Sequence, residues 1–209
     1  MTAAVVPVKA LAASKSRLFP ERPRRDVEQL SLAMMSDVIA CLRAVAGVTR
    51  VCVVTPDAAV SERAEAEGAF VLLRPDPGLN PAIEAASAAV AGPGDGVLVV
   101  LGDVAAADPA EITRLLAEAP ARGVALAPSR DGGTSALLRR PADVIRACFG
   151  RDSAKRHREA AAAAGAPLLE LALPSLAIDV DLGEDARAIQ SLETLGPRTR
   201  ALLAAWERG

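Results

Sequence analysis

The chain has 209 residues, enough to bury a good-sized core in one domain. Hydrophobic residues make up 51% and aromatics only 2%, which favours helices packed on a Val- and Leu-rich sheet over an all-β fold. A formal net charge of -2 excludes the basic surface that nucleic acid or an anionic membrane would need.

Taken in chain order, "AAVVPV" (3–8) reads as a first strand. Residues 24–46 place Val27, Leu30, Met34, Val38 and Leu42 at spacings of three and four, one apolar face of a helix. "VTRVCVVTP" (48–56) is a second strand closed by Pro56, and "SERAEAEG" a short helix ending at Gly68. "AFVLLRPD" follows as a third strand. "NPAIEAASAAVA" reads as a helix with Asn80 as N-cap and Pro81 at its first position. "DGVLVVLGDV" is the most apolar strand, and "DPAEITRLLAEA" opens on an Asp-Pro cap. "GVALAPSR", "SALLRR" and "PLLELAL" are further strands, and "LAIDVDLGEDARAIQSL" reads as a strand running into a capped helix.

Strand and helix alternate through roughly the first 120 residues, which predicts an α/β sheet with right-handed crossovers and ligands beyond the carboxyl ends of its strands. Residues 128–175 break the alternation and read as a cap or insertion on a single domain spanning 1–209. Cys41, Cys52 and Cys148 are scattered, without a CxxC pair, and read as small residues of a reducing compartment with no zinc site. No stretch approaches a membrane span, and the expectation is a cytoplasmic protein.

Four constellations carry possible chemistry. Lys9, Lys15 and Arg17, with Ser14 and Ser16, follow the first strand, where their charge suits a polyphosphate. No glycine occurs between Val5 and Leu18, so this is not a Walker loop, and a solvated basic helix start is the plain alternative. Asp103, after the strand "VLVVL", suits a divalent metal or a turn. Asp179 and Asp181 are two apart, so a regular strand would point both carboxylates to one face; a helix cap at Asp181 is the alternative. "SRDGGTSALL" and "CFGRDSAKRH" each place glycine before hydroxyls, a pattern for an anion-binding loop or a tight turn. His157 reads as a helix-face residue, with no activated nucleophile beside it.

In order, "VVPVKALAASKSRL", "VVTPD", "PDPGLNPAI", "VVLGDV", "RDGGTSALL", "FGRDSAKRH" and "LAIDVDLGED" resemble the 2-phospho-L-lactate or phosphoenolpyruvate guanylyltransferases of coenzyme F420 biosynthesis, over residues 3 to about 190. The resemblance implies a Rossmann-like mixed sheet of the nucleotide-diphospho-sugar transferase type, with three α/β/α layers. It implies attack of a substrate phosphate on the α-phosphate of GTP, release of pyrophosphate, and a partner transferase that moves the product onto Fo. Lys9, Lys15 and Arg17 would then neutralise the triphosphate, and Asp103, Asp179 and Asp181 would hold Mg2+, two ions in all. Thr134, Ser135, Gly150 and Ser153 would cradle the phosphorylated three-carbon acid, and Pro7, Val8, Thr55 and Asn80 would lie against the nucleoside. The acid would be 2-phospho-L-lactate, phosphoenolpyruvate or 3-phosphoglycerate. Val104-Ala105 stands where the family commonly reads Leu-Pro, Gly102 where Ala is usual, and Ser135 where Asn or Thr is common. Another nucleotidyltransferase of the same fold, or a nucleotide-binding module without catalysis, is the alternative reading.

Overall fold

A computed structural model describes residues 1–13, 22–180 and 183–207. Its helices and strands follow the apolar patterning closely. They run β1 (Thr2–Pro7), α1 (Arg24–Ala44), β2 (Val48–Thr55), α2 (Ala58–Ala66), β3 (Phe70–Leu73), α3 (Leu79–Val90), β4 (Gly96–Val100), α4 (Pro109–Glu118), β5 (Gly123–Pro128), β6 (Thr134–Arg140), α5 (Ser153–Ala163), β7 (Leu168–Glu170), α6 (Gly183–Gln190) and α7 (Pro197–Glu207).

The seven strands form one sheet in the order β3-β2-β1-β4-β6-β5-β7. Neighbours are parallel except where β6 runs against β4 and β5. Strands β1, β2 and β4 can be continuous apolar runs because helices cover both faces of the sheet. Ala4 and Val6 belong to a core shared with Met35, Val38 and Leu42 of α1 and Leu115 of α4. Val5, between them, points to the opposite core, with Ile83 of α3 and Ala161 of α5. The result is a three-layer α/β/α arrangement.

The α1 face read from spacing is buried at Val27, Leu30, Met34, Val38 and Leu42. Its first half packs against Ile189 of α6 and Leu203 of α7, which extends the core beyond the sheet. Asp37 of α1 anchors α7 by accepting from the Thr199 amide and hydroxyl, each at 2.8 Å. This buried carboxylate at a helix N-terminus satisfies amides that would otherwise lack partners. A side chain on Gly196 would collide with it.

Three sequence expectations need correction. The N-cap of α3 is Gly78, at φ +92°, and Asn80 lies inside the first turn. The segment around 177–180 forms no strand; a 3₁₀ turn at Pro174–Leu176 precedes it. Within 128–175, β6 and β7 are strands of the main sheet, while α5 and the connecting loops lie outside it.

Candidate active site

The chain leaves β1 for β2 and β3 on one side, then returns through α3 to place β4 on the other. The strand order reverses between β1 and β4, and loops diverging from their carboxyl ends open a crevice there. A cleft of about 450 Å³ occupies that position. Pro7, Val8 and Lys9 line it at the end of β1, Gly102 and Asp103 after β4, and Asp179 from the segment leading to α6. Thr134, Gly150 and Ser153 form another wall. A second cavity of about 240 Å³ adjoins it through Pro7, Val8, Lys9 and Leu79, and adds Thr55 and Gly78.

Gly102 permits the close approach of the two central loops. A Cβ there would stand 3.1 Å from Val8 Cγ2 and 3.6 Å from the Pro7 carbonyl oxygen. Past it, Val104 and Ala105 are buried, so this loop is packed from beneath. The Ala105 carbonyl also accepts from the Gly196 amide at 2.9 Å.

The expected metal carboxylates come from two separate loops. Asp103 lies three residues beyond the end of β4, in a turn, and the Val180 amide donates to its carbonyl at 3.3 Å. That bond sets Asp179 beside the β4 loop. Ser175 braces the same segment: its amide and hydroxyl donate to Glu111 of α4, and its Oγ accepts from the Asp108 amide at 3.1 Å. Because the segment is a braced loop, Asp179 reaches the cleft without the strand alternation expected for it. Asp181, Lys15 and Arg17 lie outside the described residues. Asp103 and Asp179 bring hard oxygen donors to one cleft, which suits magnesium held partly by substrate phosphates. Among the described residues no group of three acidic, histidine or cysteine side chains gathers as a metal site.

On the opposite wall, Ser135 departs from expectation. Successive strand residues point to opposite faces, so Ser135 shares the face of Leu137 and Arg139, fully buried inside the sheet. It does not line the cleft, and its hydroxyl has no hydrogen-bond partner among the described residues. Asn80 lines neither cavity. Its amide group accepts from the Phe149 amide at 2.7 Å and donates to the Phe149 carbonyl at 3.1 Å, holding the loop just before Gly150.

A second clamp holds the same loop and escaped sequence reading. Arg139, with no exposed surface, donates to Glu84 at 2.8 Å, to Ser87 at 2.8 Å and to the Ile145 carbonyl at 3.1 Å. Glu84 also accepts the Ala147 amide at 2.7 Å. The partners are 55 and 63 residues apart, so no local motif reports them.

Nothing in the described site resembles an activated nucleophile. Burial pushes the Cys41 thiol up to about 12 and the Cys52 thiol up to about 11, so both stay protonated. Asp131 in the β5–β6 turn is held below the usual carboxylate range by the Ser129 hydroxyl and the Gly133 amide. The arrangement can bind and orient anions and cations; it offers no triad.

Residues 2–190 match the family described as guanylyl transferase CofC like. The chain belongs to this family. Phosphoenolpyruvate guanylyltransferase of Sphaerobacter thermophilus is 38% identical over 197 residues, covering 93% of this chain and 95% of its own. The counterpart of that name in Streptomyces coelicolor is 40% identical over 205 residues, covering 96% and 94%. Among solved structures, a putative nucleotide-diphospho-sugar transferase of Desulfovibrio desulfuricans superposes with a TM-score of 0.76 at 19% identity, over 99% of this chain and 95% of its own. A Mycobacterium tuberculosis protein solved in complex with manganese shares the fold at TM-score 0.53 and 23% identity, over 92% and 98%. In this CofC-like chain the switch-point cleft therefore sits on a nucleotide-diphospho-sugar transferase fold. No helix among the described residues is long and apolar enough to cross a membrane.

Proposed function

We propose that the protein is a guanylyltransferase joining GTP to a phosphorylated three-carbon acid. Phosphoenolpyruvate is the first candidate, because the relatives of 38% and 40% identity carry that name. The observation that carries the reading is the convergence of Lys9, Asp103 and Asp179 on one cleft whose other wall holds Thr134, Gly150 and Ser153.

In the proposed reaction a phosphate oxygen of the acid attacks the α-phosphorus of GTP, and the bond from that phosphorus to the bridging oxygen of pyrophosphate breaks. No protein nucleophile takes part. Such a transfer depends on bringing two anions into line and offsetting their charge. Lys9 supplies positive charge beside the β1 loop, with Lys15 and Arg17 assigned to the same task from the sequence alone. Bound magnesium, held by Asp103, Asp179 and Asp181, would neutralise the phosphates and the leaving pyrophosphate. Pro7, Val8 and Thr55 border the smaller cavity, which suits the nucleoside. Thr134, Gly150 and Ser153 would receive the acid through hydroxyls and backbone amides. The whole chain would act as one nucleotidyltransferase domain, with the loops 129–133 and 141–152 framing the acid.

By the same reading the protein acts in the cytoplasm in coenzyme F420 biosynthesis, and its product passes to a transferase acting on Fo. Pyrophosphate release with magnesium, GTP and each of phosphoenolpyruvate, 2-phospho-L-lactate and 3-phosphoglycerate tests the reaction and ranks the acids. Absence of pyrophosphate with all three would remove the proposal.

A further inference from the structure

His157 is the chain's single histidine, and it is fully enclosed on α5. Phe149 meets its ring edge-on, with centroids 5.0 Å apart. Both ring nitrogens are engaged. The Cys148 amide donates to Nε2 at 2.9 Å, and Nδ1 lies 3.0 Å from Thr134 Oγ1. A backbone N–H can only donate, so Nε2 must offer a lone pair there. A neutral ring then carries its proton on Nδ1. Burial, reinforced by the Arg139 and Arg156 guanidiniums, lowers the imidazole pKa to about 4, which keeps the ring neutral near pH 7.

Nδ1–H therefore donates to Thr134 Oγ1 and occupies one of its lone pairs. The Thr134 hydroxyl keeps its own proton for another acceptor. Thr134 lines the cleft while His157 does not, and Gly150 and Ser153 border the same wall. The other nitrogen of the ring tethers Cys148, two residues before Gly150.

We infer that His157 is a positioning residue: it commits the Thr134 hydroxyl to donating into the cleft, toward an anionic oxygen of the acid, while holding the Cys148–Gly150 backbone in place on the same wall. This rests on the reading of Thr134, Gly150 and Ser153 as the acid-binding wall. A hydroxyl fixed as a donor favours a carboxylate or phosphate oxygen over a neutral group, since hydrogen bonds to charged acceptors are the stronger ones.

The test uses the full chain labelled with 15N at histidine, whose one ring gives one set of signals. The expected result is a neutral ring protonated at Nδ1 and bare at Nε2, with and without saturating phosphoenolpyruvate. Kinetics supply a second readout. Thr134→Val should raise the KM for phosphoenolpyruvate roughly ten-fold or more, the worth of a hydrogen bond to a charged group, and leave the KM for GTP unmoved. Thr134→Ser, which keeps the hydroxyl, should stay near the parent protein. His157→Asn, whose amide nitrogen reaches the Nδ1 position, should retain more phosphoenolpyruvate affinity than His157→Gln, whose amide reaches the Nε2 position. A ring protonated at Nε2, with KM for phosphoenolpyruvate still raised by Thr134→Val and Ser153→Ala, overturns the inference alone. Unchanged KM for phosphoenolpyruvate in both Thr134→Val and Ser153→Ala overturns the acid-site reading and the inference with it.

Discussion

The Val180 amide donates to the Asp103 carbonyl at 3.3 Å, and this bond joins the two loops that bring Asp103 and Asp179 to the cleft. Neither carboxylate is placed by regular secondary structure. Their relation depends on Ser175 and Glu111, which tie the second loop to the start of α4. Ser175→Ala removes the hydroxyl donor to Glu111 and leaves the Asp108 amide without its acceptor. A buried polar group so stranded costs about 1–3 kcal/mol, which in a domain of this size lowers Tm by roughly 2–4 °C per kcal/mol. The expected kinetic effect is a raised KM for magnesium-GTP with little change for the acid. Thermal scans and initial rates read both.

Glu84→Ala strips the carboxylate from a guanidinium that has no exposed surface. An unpaired buried charge costs about 3–5 kcal/mol, whereas replacing both partners by apolar residues is often neutral. Urea unfolding should therefore find Glu84→Ala far less stable than the Glu84→Leu, Arg139→Met double variant. Both should show weaker acid binding, because each loses the hold on the Ala147 amide.

Much of this fold was legible in the chain. Apolar spacing placed α1 and the buried face that runs from Val27 to Leu42, and the Asp-Pro dipeptide marked the start of α4, where Asp108 accepts the Ala110 amide at 2.8 Å. The misreadings share a cause: local pattern was overridden by a distant partner. Asn80-Pro81 has the look of a cap, yet Asn80 bonds Phe149, 69 residues away. The Ile-Asp-Val-Asp alternation has the look of a strand, yet Ser175 holds its approach to α4 as a turn. Ser135 follows Thr134 in sequence, but the pleat of β6 sends it into the sheet. The roles of Glu84, Arg139 and His157 were hidden because they appear only when α3, β6 and α5 meet.

His157 also predicts a pH dependence of stability. Its folded pKa is lowered from 6.5 to about 4, chiefly by burial, with Arg139 of β6 and Arg156 of α5 adding to the effect. Between those values the unfolded chain binds a proton that the folded chain does not, so stability falls as pH falls through that window. It is fully present above 6.5 and fully lost below about 4. The contribution is on the order of 3 kcal/mol. Carboxylates titrate over part of the same range, so the readout is the difference between the parent protein and His157→Gln, whose urea midpoint should vary less with pH across it.

Lys9 lines both cavities, while Lys155 is exposed on α5 and pairs with Glu159 at 3.8 Å. Lys9→Ala should reduce turnover of GTP by ten-fold or more, roughly the loss of one charged hydrogen bond in the cleft. Lys155→Ala should change it little. Equal effects would remove the phosphate role from the β1 loop.

The most direct measurement is product formation by the parent protein and Asp103→Asn with magnesium, GTP and phosphoenolpyruvate, following pyrophosphate and the guanylylated acid together. Asp103→Asn keeps the shape of the side chain and removes its charge. The expected result is stoichiometric pyrophosphate and guanylylated acid from the parent protein, and near-complete loss of both in the variant, with Tm equal or higher because repulsion among the acidic groups falls. Near-normal turnover by Asp103→Asn, or a parent protein that makes no guanylylated acid from any of the three phosphorylated acids, would contradict guanylyl transfer at this cleft.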